Sequence, residues 1–237
     1  MTFAVWRTEW LTALRRRRLL LLNTLIPLTF VATIAFSSAP AVHASAVFAV
    51  LFALFGTFGS SIPLIRDGES GLLQRYLLTG VHPGGLLLQR LLATAALDLI
   101  QLTPSVLVIA VARGSSPAQL AMLVPAMVVG LLAANALGAL TAALARSVAE
   151  GALFSAMAAL LLLHMGGAFR SPVPETWQAT LEAWSPFRPL HETLLAAVGA
   201  GGPDLDPALL TLPIGTTLTM LLLIGVGGRV AAGLGGR

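Results

Sequence analysis

Six stretches of this chain, 19–37, 44–65, 91–112, 118–145, 151–169 and 207–228, are each at least 19 residues long and together hold one charged side chain, Asp98. About 20 apolar residues in a helix cross a hydrocarbon core of about 30 Å, so each stretch is long enough to span a bilayer. Lipid offers backbone N–H and C=O groups no partners, so an apolar span must satisfy them internally as a helix. Composition agrees. Of 237 residues, 57% are hydrophobic and 10% are charged, where soluble domains carry roughly a quarter charged residues. The sequence therefore predicts an all-α polytopic membrane protein: one domain over residues 1–237 with six transmembrane helices, an N-terminal interfacial helix over 1–18, a connecting segment over 66–90 and an outer segment over 170–206. With no Cys present, disulfides, thiolate metal sites and Cys nucleophiles are excluded.

All 14 basic residues are Arg, against 10 acids, for a net charge of +4. In a soluble protein that excess would suggest nucleic acid, but here the position of each Arg matters more. Eleven fall in the terminal segments or after spans two and four; Arg113, Arg170 and Arg188 fall in the other connections. The positive-inside rule then places both termini in the cytosol, with the spans in the cytoplasmic (inner) membrane. The Arg-rich start, the apolar stretch and Ala44-Ser45-Ala46 also imitate a cleavable signal peptide. Against that reading, the apolar run over 19–36 is longer than a usual signal core, and removing it would leave five spans.

Phe3, Trp6, Trp10 and Leu14 recur at helical spacing, which predicts an amphipathic helix lying at the inner interface with Arg at 15–18 against anionic lipid. The segment after span two predicts a short helix over 68–79, capped by Asp67 and stopped by Gly80, with Pro83 beyond. At about 18 Å it is too short to cross a membrane. Leu72, Leu73, Tyr76 and Leu77 share one side while Gln74 and Arg75 face elsewhere. Either this helix serves a partner, or it is an ordinary inter-span loop.

Residues 66–79, Arg-Asp-Gly-Glu-Ser-Gly-Leu-Leu-Gln-Arg-Tyr-Leu-Leu-Thr, followed by an apolar span, resemble the cytosolic segment of type-2 ATP-binding-cassette (ABC) exporter permeases, where an acidic-x-Gly element precedes a helix that contacts the ATPase. Pro174-Glu175-Thr176-Trp177, Trp184-Ser185-Pro186-Phe187 and His191-Glu192-Thr193-Leu194 are similar to the outer segment before the last span of that family. The chain departs from the family pattern at Thr79-Gly80-Val81-His82-Pro83, where Thr-Pro is common, and at Ser185-Pro186, where Asn-Pro is. The resemblance implies a transport subunit of an exporter, moving a lipophilic or amphipathic solute (drug, lipid, peptide or glycan) outward. It also implies a second permease copy or homologue, and a separate cytosolic ATPase that holds the ATP and Mg. The sequence has no phosphate loop and no Lys to supply one, so no cofactor is expected in this chain. By the same resemblance Glu69, Gly71, Leu73, Gln74 and Arg75 would dock the ATPase and transmit its closure to spans two and three.

Within the membrane, Thr94, Asp98, Gln101 and Ser105 follow at helical spacing as a polar stripe on the third span. An intramembrane carboxylate is costly, so Asp98 either lines a path for solute or pairs across helices, through Asn135 or Asn23. Ala134, Gly138 and Ala142 give the fourth span a small-residue face for close helix contact. Pro27, Pro63, Pro104, Pro125 and Pro213 fall in or near spans and can kink them. In the outer segment Trp177, Leu181 and Trp184 share a face, which suggests an interfacial helix from Pro174 with a Trp anchor, then a second helix over 189–197 and a break ending at Pro203.

A non-transporting membrane scaffold is the alternative from another class. An intramembrane enzyme fits less well. His43, His82, His164 and His191 are scattered, His191-Glu192 lacks the second His of a zinc helix, and there is no Gly-x-Ser-x-Gly elbow.

Overall fold

The computed structural model describes residues 3–169, 175–199 and 206–226, which are helical apart from short connections. In chain order the helices are α1 (Phe3–Arg15), α2 (Arg17–Ala35), α3 (Ala41–Glu69), α4 (Leu72–Leu78), α5 (Pro83–Arg113), α6 (Pro117–Leu144), α7 (Val148–Met165), α8 (Trp177–Trp184), α9 (Arg188–Ala197) and α10 (Thr211–Val226), the last led in by a 3₁₀ turn, Pro207–Leu210. Six are long and apolar enough to cross a membrane: α2, α3, α5, α6, α7, and the turn with α10. Pro174, Pro203, Arg170, Arg229 and Arg237 lie outside the described residues.

Helices α3 and α6 form the centre. They pack on each other more extensively than any other pair, with α7 and α9 also against α3 and with α5, α9 and α10 against α6; α2 rests mainly on α5. The reason is visible in the side chains. At Gly138 of α6 a Cβ would overlap the carbonyl of Thr57 on α3, and at Gly56 of α3 a Cβ would come within 2.8 Å of Ala134. Small residues let two backbones approach closely where lipid supplies no hydrophobic drive for helices to associate. The small-residue face of the fourth span is thus used inside the chain.

Buried apolar side chains fall into two groups. Phe48, Phe52, Leu131, Phe187 and Leu190 fill the end of the bundle nearer α9, while Leu64, Ile65, Leu87, Leu91 and Ile224 fill the end nearer α4. Large apolar residues of α2, α7 and α10, such as Leu21, Leu25, Leu161 and Leu222, face outward, as a lipid-facing surface requires.

Helix ends follow local chemistry. Ser116 and Gln119 make a reciprocal capping box at the start of α6, Ser147 caps α7 and Thr176 caps α8. The segment over 66–90 differs from expectation. Span two does not stop at Ile65: α3 runs on through Glu69, and Asp67 and Glu69 belong to its last turn instead of starting a new helix. Asp67 lies inside α3, five residues before α4 begins, and its carboxylate pairs with Arg90 instead of capping a helix. The chain turns at Gly71, whose φ of +70° suits glycine, and α4 starts only at Leu72. Gly80, at φ +78°, ends the short helix as the sequence predicts. The connection is therefore shorter than 66–90, since α5 already begins at Pro83.

Candidate functional site

Arg90 stands in an early turn of α5 between Leu86, Leu87, Leu88 and Leu91, and only 7% of it is exposed. Its Nε forms an ion pair with Glu9 Oε1 of α1 at 3.0 Å, and its Nη2 one with Asp67 Oδ2 of α3 at 2.5 Å. A charge buried among leucines has to be paired, and the planar guanidinium can serve two carboxylates at once. One side chain thus ties three helices together beside α4. Its Nη1 is also buried and makes no hydrogen bond.

Two turns deeper, about 12 Å along the helix axis, Asp98 accepts a hydrogen bond from Asn135 Nδ2 of α6 at 2.9 Å. Asn135 also donates to the carbonyl of Leu131 at 2.9 Å and accepts from the Ser60 hydroxyl of α3. Asn23 is not among these partners. Gly59 faces Asp98, and a Cβ there would lie 3.1 Å from its carboxylate, so the glycine leaves room for it.

Glu9, Asp67 and Arg90 of the first cluster and Ser60 and Asp98 of the second line one trough of about 540 Å³ bounded by α1, α2, α3, α4 and α5. Arg16, Arg66 and Arg90 line it, as do Thr94, Asp98 and Gln101. Of the predicted stripe, Ser105 does not reach the trough; it is fully buried in the bundle.

Helix α4 stands beside the mouth of this trough, where Leu72 and Tyr76 line it. Gln74, Arg75 and Glu69 are exposed, and Leu78 is 87% exposed. Leu73, expected to join Glu69, Gln74 and Arg75 in contacting an ATPase, is fully buried and fastens α4 to the bundle. Gly71 supplies the turn between α3 and α4.

At the far end, Trp177 and Trp184 are 70% and 49% exposed. The carbonyl of Trp184 accepts from Thr216 Oγ1 of α10 at 2.9 Å, which holds α8 against the last helix. Arg188 pairs with Glu192 at 2.7 Å and lies 3.9 Å from the buried Glu182. His191 is buried, with Nε2 3.4 Å from Ser45 Oγ of α3. Burial lowers its pKa below the ordinary 6.5, with the Glu192 carboxylate opposing that shift.

Set against known protein families, residues 2–198 match the ABC-2 type transporter domain. The chain belongs to that family. It is an integral membrane permease subunit of an ABC transporter, of a family whose permeases typically work with a cytosolic ATPase and are generally not catalytic themselves. Comparison with curated proteins returns no match. The matched stretch of the permease takes in α1 to α9 and so includes the trough, α4 and the α8–α9 pair.

The permease's Glu9–Arg90–Asp67 cluster escapes sequence reasoning, because its members belong to three helices that are remote in sequence. One signal was available: an Arg flanked by leucines at the start of an apolar span needs a partner.

Proposed function

We propose that this permease is the membrane subunit of an exporter that moves a lipophilic or amphipathic solute outward, driven by ATP and Mg held on a separate cytosolic ATPase. Two permease subunits, identical or homologous, enclose the path. Both termini and α4 lie on the cytosolic side of the inner membrane, a reading supported by the eleven-to-three division of Arg.

The observation that carries this reading is α4 itself. A seven-residue helix, anchored by one buried leucine, presents Gln74, Arg75 and Leu78 outward next to exposed Glu69. These exposed residues form the docking surface. Closure of the ATPase pushes α4, and the Asp67–Arg90 pair joins the helix before α4 to the helix after it, so α3 and α5 move as one body. Thr94, Asp98 and Gln101 then lie on the moving wall. Trp177 and Trp184 anchor the outer segment at the opposite interface.

Co-purification with the partner ATPase tests the docking. Charge reversal at both Glu69 and Arg75 is expected to abolish complex formation and permease-stimulated ATP turnover. Retention of both would overturn the assignment, and a permease that binds no ATPase even as wild type would favour a scaffold.

A further inference from the structure

The Glu9–Arg90–Asp67 cluster leaves one guanidinium donor unanswered, and the surroundings say what would answer it. Arg90 Nη1 is buried and makes no hydrogen bond, in a side chain more than nine-tenths buried that lines the trough. A buried donor of that kind calls for an acceptor. Arg16 and Arg66 line the same trough, and neither pairs with a carboxylate among the described residues. The acids that face this end are Glu9 and Asp67, both engaged by Arg90; Asp98 lies about two turns deeper. Three guanidinium groups thus oppose two carboxylates, and the mouth is left cationic.

The remaining walls are apolar. Leu19 and Leu20 of α2 and Leu64, Leu91 and Leu97 line the trough, and α2 continues outward with exposed Leu21, Leu22 and Leu25. A cationic mouth therefore borders a lipid-facing surface. The volume of about 540 Å³ falls in the range of small-ligand sites.

We propose that this trough binds the phosphate headgroup of an acidic phospholipid, with the phosphate on Arg16 and Arg66 beside the Arg90 guanidinium and the acyl chains along α2. Basic pockets between membrane helices are suited to such headgroups. An acidic lipid is favoured over a choline lipid because Arg16 and Arg66 line the mouth, and a quaternary ammonium would meet them as a like charge. Arg16 and Arg66 have no part in the transport reading, whereas Thr94, Asp98 and Gln101 deeper in the trough belong to its moving wall. Only the leaflet that supplies the lipid, the cytosolic one, rests on the topology proposed above, and the binding test below has no sidedness and needs no ATPase.

The test is native mass spectrometry of the full chain in neutral detergent, titrated with dioleoyl-phosphatidylglycerol, dioleoyl-phosphatidylcholine or inorganic phosphate. Phosphatidylglycerol is expected to bind in preference to phosphatidylcholine, and inorganic phosphate is expected not to displace it. Arg16→Gln and Arg66→Gln should each weaken binding about fivefold, the value of one basic residue at a lipid headgroup. Arg18→Gln, at an exposed residue that does not line the trough, should change it by less than about twofold. Arg16 and Arg66 are exposed, so neither substitution removes a core contact, and thermal unfolding in the same detergent verifies that each variant is folded. Equal binding of the two lipids, an equal loss in Arg18→Gln, or displacement by inorganic phosphate would overturn the proposal. The second outcome would mean diffuse attraction to a basic segment, and the third a site for a soluble anion.

Discussion

Asn135 of α6 donates its side-chain amide to Asp98 of α5 at 2.9 Å while accepting the hydroxyl of Ser60 from α3, so one neutral side chain joins three helices around the membrane carboxylate. Asn135→Ala breaks both interhelical bonds and strands Asp98. Interhelical hydrogen bonds in membranes are worth about 0.6 kcal/mol on average and up to about 1.7, so the loss should be about 1–3 kcal/mol. Asp98→Asn keeps an oxygen that accepts the same bond and should cost less than about 1 kcal/mol. Reversible unfolding in mixed micelles measures both. Severe loss in Asp98→Asn with little in Asn135→Ala would mean that the carboxylate is held in some other way. Normal assembly of Asp98→Asn with lost export would place Asp98 on the solute path.

Gly138 is where α6 meets the backbone of α3. Its missing side chain is filled by the carbonyl of Thr57. Gly138→Val should therefore destabilise by about 1–3 kcal/mol through overpacking. Gly215, with nothing within 4 Å of a Cβ, is the control. Gly215→Ala should be neutral or stabilise by up to about 1 kcal/mol, the helix-propensity gain. Thermal unfolding of the two variants in one detergent separates these outcomes.

Arg113 closes the far end of α2. Its Nη2 donates to the carbonyls of Ile34 and Ser37 at 3.2 Å and of Ala39 at 3.3 Å, groups that a helix end leaves without partners. Arg113→Ala should cost about 1–2 kcal/mol, in the range of hydrogen bonds from a charged donor to a partly exposed site. Amide hydrogen exchange should quicken across 36–39 while α6 stays protected. Unchanged exchange there would show that the cap contributes nothing.

His191 makes stability pH-dependent. Burial holds its pKa below 6.5, so the folded chain favours the neutral ring. Between that lowered pKa and 6.5 the unfolded chain binds a proton that the folded chain refuses. Its contribution is thus complete above about pH 6.5 and lost as the pH falls. The melting temperature should drop between about pH 7.5 and 5.5, and drop less in His191→Gln. Equal slopes in the two proteins would remove His191 as the cause.

What the sequence determined by itself is the class and the chemistry at helix ends. Six apolar runs with one charge leave a bundle of membrane helices as the available fold, because lipid forbids unsatisfied backbone. Gly80 stops α4 for a reason internal to glycine. Tertiary structure decided whatever depends on partners distant along the chain. Asp67 reads as a cap in the sequence, but α3 runs on to Glu69 and the carboxylate pairs with Arg90 from α5. Leu73 and Gln74 are neighbours in sequence, yet one is buried and the other exposed, because only packing against the bundle fixes which way α4 faces. The trough likewise exists only where α1 folds back toward α5. Its charges come from Glu9, Asp67 and Arg90 on three helices, and no local pattern specifies that they meet.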